Sequence, residues 1–159
     1  MVDMTSNQQS VVDHDTFTVR RTLWIAAPVE RVWSVVTEPA QISRWFGRAE
    51  LDGSGVGADG TLTFDTRTVP IRIEQLDRPR MVAYRWTNDD EAAQLPDKVD
   101  PDHSTVFTFT LDSVDNGTQL TVVETGFETL SDPAADLESH RAGWDSELDK
   151  LVALVEGGA

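Results

Sequence analysis

Four titratable side chains fall where the surrounding pattern calls for apolar ones. Glu124 shares strand parity with Leu120 and Val122, and Arg21 with Val19, Leu23 and Ile25. His140 and Arg141 occupy stripe spacing on a helix whose apolar positions are Leu137, Trp144, Leu148, Leu151, Val152 and Val155. An acid and an imidazole turned toward one interior could do acid–base chemistry, which needs only one or two placed groups. The same side chains could instead anchor a bound molecule, or form structural ion pairs that meet no ligand. For Glu124 and Arg21 the structural pair is the first reading and ligand contact the second. His140 and Arg141 read either as a polar cavity floor or as a solvated flank.

Other chemistry finds little support. Gly55 to Gly60 matches G-x-G-x-x-G, but a strand, Thr61–Phe64, follows it where a phosphate site needs a helix N-terminus. The stretch therefore reads as a mobile hairpin loop. Asp52 lacks the partner carboxylates of a calcium loop. His14, His103 and His140 have no ligand spacing, so no metal site is expected. Neither a G-x-S-x-G elbow nor a P-loop is present, and no cofactor or catalytic residue is assigned.

Composition narrows the partners. The formal net charge is −15, from 13 basic and 28 acidic residues, and it repels nucleic acid and anionic membrane surfaces. The absence of cysteine excludes disulfides, thiol nucleophiles and thiolate metal sites. No apolar run approaches the roughly 20 residues of a membrane span. The N-terminus lacks the features of a signal peptide, so a cytoplasmic location is expected.

These residues must be positioned by the following elements. Residues 1–15 are polar and aperiodic and read as a mobile tail before a single domain, 16–159. Phe17–Ala27 alternates as a first strand. Two short helices follow, Pro28–Thr37 and Ala40–Trp45. Strands are then predicted at Arg48–Leu51, Thr61–Thr66, Val69–Leu76, Met81–Thr87, Thr105–Asp112 and Gln119–Phe127, with a hairpin turn at Asp115-Asn116-Gly117. Asp132 as N-cap and Pro133 at the first position open a long helix to Glu156, ended by Gly157 and Gly158. Gly143 inside it suggests close approach of another backbone. The acidic segment Asn88 to His103 reads as a solvated insertion, with a lid as the alternative. Trp24 has outward parity and is a candidate partner contact. This order predicts an α+β fold: a curved seven-stranded antiparallel sheet gripping the last helix, closed at one end by the two short helices, with a cavity inside.

Four fragments resemble one known family. Ile25 to Trp33 is similar to its "I-x-A-P-x-E-x-V-W" signature, and Glu38-Pro39 with Ser43 to Phe46 to its "T-D-P … W-F" continuation. Gly117 to Phe127 resembles its "G-T-x-L-T-x-x-E-x-G-F" strand, and Gly143-Trp144 with Leu148 and Leu151 its "G-W-x-x-x-L-x-x-L" helix. The family is that of the homologues of the heat-shock protein 90 ATPase activator, within the START-like (SRPBCC, birch-pollen-allergen-like) superfamily. The resemblance spans about residues 17–156 and implies a helix-grip fold with a deep hydrophobic cavity. It matches only the C-terminal part of the eponymous activator; the N-terminal domain used to stimulate the chaperone has no counterpart in this sequence.

The resulting expectation is a non-catalytic domain binding a small apolar or amphipathic molecule. Its cavity is expected to be lined by Trp45, Phe64, Tyr84, Trp86, Phe107, Phe109, Leu120, Val122, Trp144 and Leu148, with Arg21, Glu124, His140 and Arg141 as polar contacts. A chaperone-contacting protein, and a cyclase or hydrolase using Glu124 or His140, are the alternatives. The oligomeric state is left open.

Overall fold

The computed structural model describes residues 9–89, 92 and 94–157. Its strands are β1 (Val11–Asp13), β2 (Thr18–Ile25), β3 (Arg48–Leu51), β4 (Asp59–Phe64), β5 (Arg67–Asp77), β6 (Met81–Trp86), β7 (Thr105–Val114) and β8 (Gly117–Thr125). Its helices are α1 (Val29–Thr37), α2 (Pro39–Ile42) and α3 (Pro133–Glu156). The strands form one antiparallel sheet in the order β1-β2-β8-β7-β6-β5-β4-β3. The α+β helix-grip architecture is thus as predicted.

The sheet has eight strands among the described residues, where seven were predicted. The extra one, β1, lies in the stretch read as a tail and pairs Val12 with Val19. Ser10 is tied down as well, its N–H donating to Asp145 Oδ1 at 2.7 Å. Three residues are too few to display a period, which hid this strand from the sequence. Residues 1–8, the rest of that tail, and Gly158 lie outside the described residues.

Local signals account for the element ends. Asp132 caps α3 by accepting from the Ala135 N–H at 3.2 Å, with Pro133 in the first turn. Asp115 and Asn116 both adopt positive φ, 51° and 65°, as a two-residue hairpin turn of the primed type requires. Gly117 serves a different need: a Cβ there would lie 2.5 Å from Ile25 O and from the Trp24 ring. That contact also places Trp24, which keeps its outward parity and is half-buried. The indole lies along the β7–β8 hairpin and donates to Val114 O at 2.7 Å, so part of it is covered. In the G-x-G loop, Gly57 N–H is held by Ile73 O at 2.8 Å, and β4 follows directly.

Helix α1 is fixed through its last carbonyls, which a helix leaves without internal partners. Trp45 Nε1 donates to Val35 O at 2.8 Å, and the Tyr84 hydroxyl to Val36 O at 2.6 Å. Burial pushes the Tyr84 phenol well above its ordinary range. These bonds lock α1 onto the sheet. α2 is shorter than predicted, a single turn followed by hydrogen-bonded turns through Trp45 and Phe46.

The interior between sheet and α3 is largely filled. Phe107 meets Trp86 at 4.6 Å, Tyr84 at 5.3 Å and Trp144 at 5.3 Å between ring centres; Phe109 packs edge-on to Trp144 at 6.0 Å. The void left among Tyr84, Phe107, Phe109, Trp45 and Phe46 is about 10 Å³. The deep cavity predicted there is replaced by aromatic packing. Inward-facing rings on two adjacent strands, β6 and β7, bring enough volume to meet the helix.

Candidate functional site

Glu124 is the polar centre of this interior. It is fully buried on β8, opposite Phe107 of β7 and Val19 of β2. Its Oε1 accepts from Trp144 Nε1 at 2.8 Å and its Oε2 from Trp86 Nε1 at 2.8 Å and Thr105 Oγ1 at 2.5 Å. His140 Nδ1 reaches both oxygens, at 2.9 and 3.0 Å. One carboxylate therefore collects donors from β6, β7 and two turns of α3. Burial pushes the carboxyl up, but the charge of His140 and the hydrogen bonds from His140, Thr105 and Trp86 outweigh it. The net effect holds Glu124 below the usual carboxylate range.

The two indoles fixed by Glu124 wall a cavity of about 230 Å³ at one end of the grip. Phe46, Phe64, Trp86 and Trp144 supply its aromatic surface; Arg67, Asn88, Ser139, His140, Gly143 and Glu147 complete it. Phe46 lies tilted against Trp144 at 5.4 Å, and Phe64 stands edge-on to Phe46 at 5.4 Å. Gly143 opens onto this space. A Cβ built there meets nothing within 4 Å, so no backbone approaches it, contrary to the sequence reading. Burial raises the Glu147 carboxyl above its ordinary range, and Lys150, 2.8 Å away, offsets part of that.

The predicted site residues separate into groups. Phe64, Trp86, His140 and Trp144 line the cavity. Trp45, Tyr84, Phe107 and Phe109 surround the small interior void instead, and Leu120, Val122 and Leu148 are core. Glu124 lies behind the wall and holds it. Arg21 is buried but turned to the helix: Nη1 donates to Asp145 O at 3.0 Å and Nη2 to Asp149 Oδ1 at 3.0 Å. It clamps α3 to β2. Arg141 lies on the helix flank, paired with Glu138 and, at 3.3 Å, with Asp145. Neither arginine is in the cavity wall, so both depart from the anchor role expected of them. Glu124 pairs with His140 rather than Arg21.

Sequence reasoning left Phe46, Ser139 and Gly143 out of the cavity lining, and it missed three charged or amide side chains, Arg67, Asn88 and Glu147. Each of these three carried a signal. Arg67 shares parity with Val69, Ile71 and Ile73, all buried. Asn88 continues the inward alternation of Tyr84 and Trp86. Glu147 follows His140 and Trp144 by seven and three residues, on one helix face.

The segment after β6 is anchored at both ends. Asp89 is fully buried, and its Oδ2 accepts from Ser131 N–H and Oγ at 3.0 and 2.6 Å and contacts His103 Nε2 at 2.7 Å. Thr87 Oγ1 accepts from Asp100 N–H at 2.7 Å. Asp90 and Glu91, which helped make this segment acidic in sequence, lie outside the described residues. Among the described residues, no three His, Asp or Glu side chains converge as a metal site. No helix among them is long and apolar enough to cross a membrane.

Comparison with known proteins agrees with this architecture. Residues 26–156 match the family described as "Activator of Hsp90 ATPase homolog 1-like protein", and the chain belongs to that family. Among solved structures, it is similar to protein MLL2253 from Mesorhizobium loti, with 23% identity, TM-score 0.74, and 89% of this chain and 98% of that one covered. It is also similar to Aha1 from Colwellia psychrerythraea, solved as a dimer, with 18% identity, TM-score 0.69 and 89% and 97% covered. CalU16 from Micromonospora echinospora matches with 21% identity, TM-score 0.68 and 89% and 77% covered. At these identities the likeness is one of fold. No curated protein matches the sequence.

Proposed function

We propose that this chain is a non-catalytic START-like domain that binds a small hydrophobic or amphipathic molecule beside the first half of α3. The observation that carries the reading is the cavity of about 230 Å³ whose wall is two tryptophans and two phenylalanines. Apolar walls with a few polar groups are the usual composition of small-molecule sites. The volume lies below the ~300 Å³ at which such sites commonly begin, so the guest is one or two fused rings, or the end of something longer. Glu124 favours a binding role over catalysis. Both its oxygens are already engaged by indole, hydroxyl and imidazole donors, which suits a carboxylate that holds a wall better than one that takes protons from a substrate.

The test is to titrate a panel of one- and two-ring aromatic compounds while following tryptophan emission. Binding is expected in the wild type and its loss in Gly143→Leu, whose side chain enters the cavity. Absence of any binder, or binding unchanged by Gly143→Leu, overturns the proposal.

Family membership supports a second reading, contact with a chaperone. It predicts a change in chaperone ATPase rate when the protein is added. An unchanged rate together with no detectable complex removes it.

A further inference from the structure

Phe46 borders two spaces at once. On one side lies the cavity of about 230 Å³ at the end of the grip, and on the other the void of about 10 Å³ in the core. Among the described residues it alone belongs to both linings. Beyond Phe46 the wall of the void is apolar, with Val36, Ile42, Leu62 and Ile71 around it, and the Tyr84 hydroxyl there is already engaged by Val36 O. The phenyl ring is held on several sides. It stacks on Trp45 at 4.8 Å with 10° between the planes, meets Trp86 at 5.8 Å, and stands edge-on to Phe107 at 5.9 Å. Its neighbours are themselves anchored, Trp45 by Val35 O and both Trp86 and Trp144 by Glu124. The backbone is fixed as well. Phe46 N–H donates to Ile42 O at 2.9 Å, and a Cβ at Gly47 would come within 3.0 Å of the Phe64 ring. The void behind the ring holds about one water-sized sphere, so the ring cannot turn into it.

We infer that Phe46 is the partition that fixes how deep a guest enters, and is thereby the residue that sets specificity for guest length. This inference rests on the binding function proposed above and names the side chain that limits it. A compact one- or two-ring body fills the outer cavity down to Phe46, and any further length stays outside in solvent. Phe64, Trp86 and Trp144 border the cavity but not the void, so they shape its sides. Trp45 borders the void but not the cavity. Without the Phe46 ring, the cavity, the space of the ring itself and the void become one continuous apolar chamber. Apolar space opened by truncation takes up apolar guests rather than water.

The experiment compares two guests on the full chain, 2-naphthol and 6-phenyl-2-naphthol, the second longer by the group that Phe46 carries. Affinities come from calorimetry, and the methyl resonances of Ile42 and Ile71 report whether a guest has reached the void. In the wild type the two guests should bind with similar affinity and leave both methyl signals unmoved. In Phe46→Ala the longer guest should bind at least about tenfold more tightly than the shorter, through burial of one more ring, and should shift both signals. Phe46→Leu should show a smaller gain of the same sign, and it carries the test if the alanine variant does not fold. Equal affinity of the two guests in the folded Phe46 variants, or a shift of the Ile42 and Ile71 signals by the longer guest in the wild type, overturns this inference and leaves the proposed binding function standing. Failure of both guests to bind the wild type overturns both.

Discussion

Glu124 shows how one residue can decide the shape of a surface it never joins. Its carboxylate orients Trp86 and Trp144 through their N–H groups, so the cavity wall is set from behind. Glu124→Leu would take the acceptor from the Trp144 indole, the Thr105 hydroxyl and the His140 imidazole, leave the Trp86 indole with Thr105 Oγ1 alone, and should cost about 3–5 kcal/mol in chemical denaturation. The pH dependence follows from its lowered pKa. A carboxyl held lower in the folded than in the unfolded state contributes stability above the unfolded value, about 4.3, and loses it as pH falls through the folded one. Acidification below about pH 4.3 should therefore destabilise the wild type more than Glu124→Gln, measured as denaturation midpoint against pH. Glu147 works in the opposite sense. Its pKa is raised by burial, so its contribution declines as pH rises past the unfolded carboxylate range, and Glu147→Gln should lessen that decline. The inward parity of Glu124 was legible in sequence. Its partners were not, because Trp86, Thr105 and the pair His140 and Trp144 reach it from three other elements, β6, β7 and α3.

At the scale of elements, two glycines make opposite demands. Gly143 sits in mid-helix beside open space, so Gly143→Ala should stabilise the protein by about 1 kcal/mol through helix propensity alone. Gly117 lies where β8 passes Trp24 and Ile25 O with no room for a methyl group, so Gly117→Ala should destabilise by about 1–3 kcal/mol. Paired thermal denaturation of the two variants checks both signs. The sequence showed a glycine in each place but not which one was crowded, since that depends on the neighbour across the fold. The strands and helices were legible for a physical reason: alternation and helical spacing persist over long runs here, and Asp132-Pro133 and Asp115-Asn116 mark their ends chemically. β1 lacked the length for such a pattern, and so did the turns after α2.

For the whole molecule, the net charge of −15 opposes compactness. Raising salt from about 0.01 to 0.15 M shortens the screening length from about 30 to 8 Å and should raise the thermal midpoint. An unchanged or lower midpoint would mean that local ion pairs such as Arg21 with Asp149 dominate the balance. The sequence by itself determined the order of the elements from β2 onward, their inward faces and the family, because each is written in residues close along the chain. Only the tertiary structure decided how much space remained inside. That depends on how rings from β6, β7, α3 and the segment after α2 pack in three dimensions, and they fill the centre of the grip and leave room at one end. It likewise decided that Arg21 clamps a helix while Arg67 and Asn88 reach the cavity, because inward parity gives a side chain's face but not the partner it meets there.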